Sequence, residues 1–279
     1  RGGTSTSAAV SSLRALSAMI PIRPTIYTFS EHKLQEDDLQ FRLWKAAWEG
    51  AGFEARALSL EDATQHADFE TYSNAIGEIL PYGHRDTKMR FLRYLAMNVV
   101  GGGFLTESNV FPLWPFSQMK SGVQARDFTV RCGSIKKPTG CLLSGSAQEW
   151  NRISVELLGS VQRQYAELYQ KTNGNKDASS NKHTFDLNTI SNLPVWSDDV
   201  ALQELVSFAN PTGRPIAKRE SQVLSTVQAR DMKSSLTNFL TTQCHDNVDR
   251  LAVQFEGDAL GSGYAMEWLQ QWNKNCVNK

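Results

Sequence analysis

The sequence predicts an α/β fold with a single, mostly parallel central sheet flanked by helices. Apolar, β-prone runs alternate with amphipathic helical runs in the first part of the chain. A chain of 279 residues with 41% hydrophobic and 21% charged residues can form one large core. We therefore expect a single domain over residues 21–279, preceded by a loose Ser/Ala/Thr-rich remnant at residues 1–20.

The first strand is predicted in PTIYTFSE, where β-prone residues follow a proline. A helix is predicted in DDLQFRLWKAAWEGAGF, with aspartates at its N-terminus and glycines at its end. Leu39 and Leu43 are spaced as members of its apolar face. A second strand, EARALSL, and a helical stretch beginning at LEDATQ continue the alternation.

The next helix is predicted in DTKMRFLRYLAMNVV, where Met89, Leu92 and Val99 share one face. The triple glycine ends this helix, and FLTESNVFPL follows as a strand. Glu107 and Asn109 then stand at or just after the C-terminal end of a strand, where open α/β sheets bind ligands.

Further elements complete the alternation. Two short strands are predicted in FTVRCGS and GCLLSGS, and a long helix in AQEWNRISVELLGSVQRQYAELYQK. The segment TNGNKDASSNKHTFD is predicted as a polar loop, and SDDVALQELVSFA as a helix.

Charge and hydropathy exclude two classes of partner. The 29 basic residues balance 29 acidic residues, so no overall field attracts nucleic acid. No run of about 18 apolar residues occurs, and we therefore expect no transmembrane segment in this chain.

Cys132 and Cys141 flank GSIKKPTG, whose proline and glycine can fold the segment back. A disulfide between them is expected if the compartment is oxidising, and two half-buried thiols are the alternative.

GGGFLTESNV, residues 101–110, is the most informative stretch. The glycines lack the known phosphate-binding patterns and follow a helix instead of opening one, so taken alone they indicate a helix stop. The Glu-Ser-Asn tripeptide alone also fits a solvated strand end.

The longer segment LRYLAMNVVGGGFLTESNVFPL resembles the DXD-containing GT-A glycosyltransferases. It is similar to the sugar-binding group that includes fungal α-mannosyltransferases and bacterial capsular-polysaccharide transferases. In that family an Arg-Tyr helix, glycines, an aromatic residue, Asp-x-Asp and V-x-P-L follow in this order. PTIYTFSE, LLSGSAQEWNR and SDDVALQEL also resemble family segments, so the resemblance covers roughly residues 24 to 210.

The resemblance implies transfer of a sugar from a nucleotide-diphosphate donor to a glycan or lipid-linked acceptor, assisted by weakly bound Mn²⁺ or Mg²⁺. It also implies a Golgi or other secretory lumen. Asp198 is the catalytic candidate and, together with Asp199, also fits a helix-start acid. The metal candidates are Glu107, Asn109 and His245. The donor-binding candidates are Tyr27, Thr28, Phe29, Arg93, Gly103, Glu107 and Ser108.

The sequence departs from the family at three positions. Glu107 is longer than the expected Asp, Asn109 offers a neutral oxygen in place of a carboxylate, and Arg90 stands where many members carry Asp. These changes favour an alternative function, a non-catalytic glycosyltransferase-like protein that binds nucleotide, glycan or a partner enzyme. Four tryptophans fit either sugar stacking or the core: Trp150, Trp196, Trp268 and Trp272.

Overall fold

A computed structural model describes ten stretches of the chain. They comprise residues 23–35, 37–79, 85–119, 125–132, 141–173, 198–207, 217–220, 223–225, 250–255 and 263–277. The predicted N-terminal remnant at residues 1–20 and most of the predicted polar loop lie outside them.

A mixed sheet forms the centre of the molecule. Its strands, in chain order, are β1 (Thr25–Phe29), β2 (Glu54–Leu58), β3 (Gly102–Leu105), β5 (Thr129–Arg131), β6 (Leu142–Ser146) and β7 (Lys218–Glu220). Their order across the sheet is β2-β1-β3-β6-β5-β7.

The sheet corrects the expectation of a mostly parallel one. β1 pairs in parallel with β2 and β3, and β5 pairs in parallel with β7, but β6 runs antiparallel to both of its neighbours. Only ten residues separate β5 from β6. A connection of that length suits an antiparallel pair, because a parallel pair needs a crossover of a dozen or more residues.

A second, three-stranded sheet has the order β4-β9-β8. Its strands are β4 (Val110–Pro112), β8 (Val223–Ser225) and β9 (Ala252–Gln254). The single strand predicted in FLTESNVFPL is therefore two strands in two sheets. A turn divides them, closed by a hydrogen bond from the Val110 N–H to the Glu107 carbonyl at 3.1 Å.

The helices confirm the predicted α/β alternation. They are α1 (Leu39–Gly50), α2 (Leu60–Thr64), α3 (Phe69–Ile79), α4 (Arg85–Val99), α5 (Ala147–Asn173), α6 (Asp198–Ser207) and α7 (Tyr264–Trp272). Within the stretches that the structure describes, no helix is both long and apolar enough to cross a membrane.

The two faces of the central sheet bury two apolar clusters, because successive side chains of a strand point to opposite faces. Helices α1 and α7 and the small sheet cover one face, which receives Ile26, Phe104 and Leu142. Helices α2 to α6 cover the other, which receives Tyr27, Leu105 and Leu143. The sheet is thus the middle layer of three.

Helix α1 buries a face centred on aromatic residues; of the two predicted leucines, Leu43 packs at the edge of that cluster and Leu39 does not. Phe41, Trp44 and Trp48 are its buried residues, whereas Leu39 is 57% exposed. The three aromatic side chains remove more apolar surface from water than the leucines would, so they decide which face turns inward.

Trp150, Trp268 and Trp272 are buried in the core. Their packing selects the core interpretation over sugar stacking, while Trp196 lies outside the described residues. The indole N–H of Trp272 donates to the Leu113 carbonyl at 2.8 Å, which satisfies its polar atom inside the apolar cluster.

Cys132 and Cys141 form a disulfide with 4.4 Å between their Cα atoms, which confirms the predicted pairing. Cys276 is also disulfide-bonded. Disulfides persist in oxidising compartments, so the bonds fit such an environment.

The triple glycine is required by the backbone. Gly101, Gly102 and Gly103 all have φ between +88° and +127°, a region that side chains rarely adopt. A Cβ on Gly102 would lie 2.6 Å from the Gly145 carbonyl oxygen and 2.7 Å from the Ala147 nitrogen. The run therefore ends α4 and lets β3 approach β6 closely, as the helix-stop interpretation predicts.

Candidate functional site

A cleft of about 350 Å³ opens at the carboxyl ends of β1 and β3. The chain passes from β1 to β2 on one side and then returns to β3 on the other side of β1. Such a reversal of strand order leaves a crevice outside the strand ends, which is the usual ligand site of open α/β sheets. The cleft thus lies where the topology alone predicts a ligand.

Four segments line the cleft. They supply Thr28 and Phe29 from the end of β1 with Ser30 and Glu31 after it, Gln40 from α1, Asp86, Met89, Arg90 and Arg93 from α4, and Glu107, Ser108 and Asn109 after β3. The lining combines acidic, basic and amide groups with two apolar side chains, which suits a ligand that carries both anionic and hydroxyl groups.

The turn after β3 carries the Glu-Ser-Asn tripeptide. Thr106 remains tied to the sheet through its N–H, which donates to the Tyr27 carbonyl at 2.9 Å. Gln40 Nε2 donates to Ser108 Oγ at 2.7 Å, so α1 holds the turn from the opposite wall. The Asn109 carbonyl accepts the Phe255 N–H at 2.9 Å and fixes the start of β4.

Asn109 Oδ1 is buried and has no hydrogen-bond partner among the described residues. A buried amide oxygen without a partner costs free energy, on the order of 1–3 kcal/mol. The atom is shielded from solvent, although Asn109 is one of the residues that line the cleft.

Helix α4 places two guanidinium groups in the cleft, because Arg90 and Arg93 are one helical turn apart. Arg90 Nη1 lies 3.9 Å from Glu107 Oε1 and 3.9 Å from Asp198 Oδ1. The Arg90 side chain is 39% exposed and that of Arg93 is 11% exposed. Arg93 is thus held in the wall, while Arg90 faces the open space.

Asp198 anchors Arg93. Its carboxylate accepts hydrogen bonds from Arg93 Nη2 and from the Tyr94 hydroxyl, the latter at 3.0 Å. It is fully buried at the first residue of α6, where the positive end of the helix dipole stabilises a carboxylate. This arrangement fits a residue that positions Arg93, since the carboxylate is not among the described groups that line the cleft.

Two buried tyrosines lie behind this wall. The Tyr72 hydroxyl donates to the Ser154 carbonyl at 3.0 Å. Burial raises the pKa of Tyr72, and the negative charge of Asp198 raises it further. Burial also raises the pKa of Tyr27. Both phenols therefore stay neutral at ordinary pH and do not act as bases.

The structure brings together most of the residues chosen from the sequence. Five donor-binding candidates line the cleft: Thr28, Phe29, Arg93, Glu107 and Ser108. Tyr27 and Gly103 lie in the strands behind it, and a Cβ on Gly103 would lie 3.2 Å from the Tyr27 ring. Of the metal candidates, Glu107 and Asn109 line the cleft, and His245 lies outside the described residues.

Several lining residues were not predicted from the sequence. Gln40 is one of them, because it meets Ser108, 68 positions away in the chain, only in the folded molecule. Glu31 faces the cleft and forms an ion pair with Arg85. The one available signal was position, since Ser30 and Glu31 directly follow β1 as residues 107–109 follow β3.

The donor set fits a divalent cation poorly. The turn after β3 offers one carboxylate, Glu107, and the Arg90 guanidinium beside it would repel a cation. Two other carboxylates line the cleft, Glu31, which pairs with Arg85, and Asp86. The Asn109 oxygen is turned away from solvent. Within the described stretches, no group of three or more His, Cys, Asp or Glu could hold a metal ion.

Comparison with known families assigns the chain to one family. The model of a family described as a domain of unknown function, DUF8765, matches residues 3–189, about two thirds of the chain. The chain belongs to DUF8765. All of the described residues that line the cleft fall within the matched range, whereas Asp198 lies beyond it. Neither the curated proteins nor the solved structures give a match.

Proposed function

We propose that this DUF8765 member binds a nucleotide-diphosphate sugar in the cleft and transfers the sugar to a glycan or lipid-linked acceptor. One observation carries the proposal. Residues that resemble the donor-binding segments of GT-A glycosyltransferases lie far apart in the sequence, at Thr28, Arg93 and Glu107, and line one cleft at the strand-order reversal.

The chemistry of the lining supports such a donor. A nucleotide sugar carries a diphosphate, for which Arg90 and Arg93 offer charge-assisted hydrogen bonds. Its ribose and sugar hydroxyls can donate to the Glu107 carboxylate, and Ser108 adds a further polar partner. Phe29 supplies an apolar surface for a ring.

The same cleft suggests where catalysis would come from. As the bond between sugar and diphosphate breaks, negative charge grows on the leaving diphosphate. Cations that are already fixed nearby stabilise that charge more in the transition state than in the ground state. Arg93 is fixed by Asp198 and Tyr94 before any ligand binds, so it meets this requirement.

A non-catalytic protein that binds a nucleotide or glycan is the second candidate. The buried position of Asp198 favours it, because the predicted catalytic carboxylate is occupied by Arg93 and Tyr94. This alternative shares the donor cleft and differs in lacking turnover.

A panel of nucleotide sugars, with and without Mn²⁺, tests the proposal. Thermal shift reports binding, and release of free nucleoside diphosphate in the presence of mixed glycan acceptors reports turnover. We expect one donor to raise the melting temperature and to be consumed. Stabilisation without release would select the non-catalytic alternative, and the absence of stabilisation by every donor would overturn both.

A matched pair of variants tests whether the nucleotide sugar binds in the cleft. Glu107→Gln removes a cleft carboxylate and should weaken donor binding, because its acceptor charge for hydroxyl groups is lost. Glu54→Gln removes an exposed carboxylate that pairs with Arg56 on β2, and it should leave binding unchanged.

A further inference from the structure

We propose that Arg90 supplies the positive charge that a divalent cation supplies in the glycosyltransferases which the chain resembles, so that the cleft binds the donor diphosphate without metal. This inference rests on the proposed function, since it concerns how the same cleft holds its ligand.

The position of Arg90 is the first observation. It lies in the cleft wall opposite the turn after β3, with Nη1 3.9 Å from Glu107 Oε1. A cation bound to Glu107 would have to approach within a few ångströms of this guanidinium, which is charged at every accessible pH. Arg90 therefore disfavours a metal in the place where the resemblance predicts one.

The ligand atoms give a second, independent observation. Hard divalent cations require several oxygen ligands at about 2.0–2.6 Å. The turn offers the Glu107 carboxylate, but Asn109 adds only a neutral amide oxygen, and that atom is buried in the present side-chain orientation. The turn thus lacks a second carboxylate for a metal, and Arg90 places a positive charge in the same cleft.

The surroundings of Arg90 allow a diphosphate to reach it. Its side chain is 39% exposed, and its ion pair with Glu107, itself 28% exposed, spans 3.9 Å, which exceeds hydrogen-bond length. An ion pair between two partly exposed side chains is weak in water and can be exchanged for a phosphate. Arg93 lies one helical turn further along, so two guanidinium groups can face the two phosphates of one ligand.

Isothermal titration with UDP and with GDP, each in the presence of EDTA and then of Mn²⁺, tests the inference. The unmodified protein should bind one of them equally well in both conditions. Arg90→Gln should weaken that binding by at least about tenfold, the loss expected for one charge-assisted contact. Arg90→Lys should recover part of it, because the charge returns without the planar fork.

Two further variants complete the design. Arg56→Gln removes an exposed arginine from β2 and should bind as the unmodified protein does. Arg90→Asp places a carboxylate beside Glu107, and its binding should become dependent on Mn²⁺. Circular dichroism of each variant shows whether the fold is kept, and Arg90→Lys preserves a folded comparison if Arg90→Gln is unstable.

The outcomes separate the two proposals. Binding that requires Mn²⁺ in the unmodified protein and ignores Arg90→Gln would overturn the role of Arg90 and leave the donor cleft standing. Failure to bind either nucleotide in any condition, together with no response to the wider panel of nucleotide sugars, would overturn the proposed function itself.

Discussion

The glycines at residues 101–103 and the turn at residues 107–109 are neighbours in the sequence but differ in what constrains them. Gly102 is enclosed by the backbone of β6, with no room for a Cβ. The Glu107 and Ser108 side chains face an open cleft, where Glu107 lies near Arg90 and Ser108 accepts a hydrogen bond from Gln40. The glycine run, which looks most like a phosphate loop, is therefore structural, and the candidate site begins after it, at the turn.

Gly102→Ala should have the largest effect on stability. A left-handed φ costs about 1–2 kcal/mol for alanine, and contact with a backbone that cannot move adds about 2–3 kcal/mol. We expect the free energy of unfolding to fall by about 3–5 kcal/mol in urea denaturation.

Gly101→Ala is the matched control for that change. Gly101 shares the positive φ, but a Cβ there would meet nothing within 4 Å. It should therefore lose only the backbone term, about 1–2 kcal/mol. Equal losses for the two variants would show that close packing against β6 does not distinguish the glycines.

Asp198→Asn should give the next largest loss. It removes the charge that partners Arg93 in a buried position and leaves a guanidinium only 11% exposed. We expect a loss of about 2–3 kcal/mol in the free energy of unfolding, since an amide oxygen still accepts one hydrogen bond.

Nucleotide binding distinguishes two possible roles of Asp198, one that only stabilises the fold and one that also positions Arg93. Asp198→Asn should also weaken binding of the nucleoside diphosphate, because Arg93 would no longer be held in the cleft wall. A stability loss with unchanged affinity would separate Asp198 from the site. Glu54→Gln, which breaks an exposed ion pair, should change stability by less than about 1 kcal/mol.

Asn109→Asp should have a smaller effect on stability than Gly102→Ala and one no larger than that of Asp198→Asn. We expect its free energy of unfolding in EDTA to fall by about 1–3 kcal/mol. The new carboxylate would occupy a position where the present oxygen is buried without a partner among the described residues. Mn²⁺ should restore part of this loss by providing a partner for the carboxylate, whereas the stability of the unmodified protein should not change with Mn²⁺. Thermal melts of the two proteins, with EDTA and with Mn²⁺, measure these effects.

Asn151→Asp adds the same charge on an exposed position of α5 and serves as the control. A similar response to Mn²⁺ in this variant would show that the metal acts on net charge. No response in Asn109→Asp would remove position 109 from any cation site.

Local patterns predicted much of the fold because they depend on neighbouring residues. The N-cap of α1 at Asp38, the helix stop at Gly101 and the start of α6 at Asp198 all follow from short sequences. The short connection between β5 and β6 is likewise a local signal for an antiparallel pair. The pairing of β6 with β3 could not be predicted in the same way, because these strands are about 40 residues apart and their pairing depends on the whole sheet.

The candidate site likewise contains residues that the sequence predicted and contacts that only the folded structure shows. Glu107 and Arg93 were accessible from the sequence, because the residue types and their order resemble a known donor site. The contact of Arg90 with Glu107 was not, since it depends on how α4 packs beside β3. Asp198 shows the difference most clearly: the sequence made it a candidate, but only the structure shows that it is buried against Arg93 and Tyr94.

The disulfide between Cys132 and Cys141 has a practical consequence for handling the protein. It joins the end of β5 to the start of β6, and the Cys141 carbonyl accepts a hydrogen bond at 3.3 Å from Thr106, the residue before Glu107. A thiol reductant in the purification buffer would therefore release a covalent tether next to the cleft. Preparations made with dithiothreitol should show weaker ligand binding than oxidised preparations of the same chain.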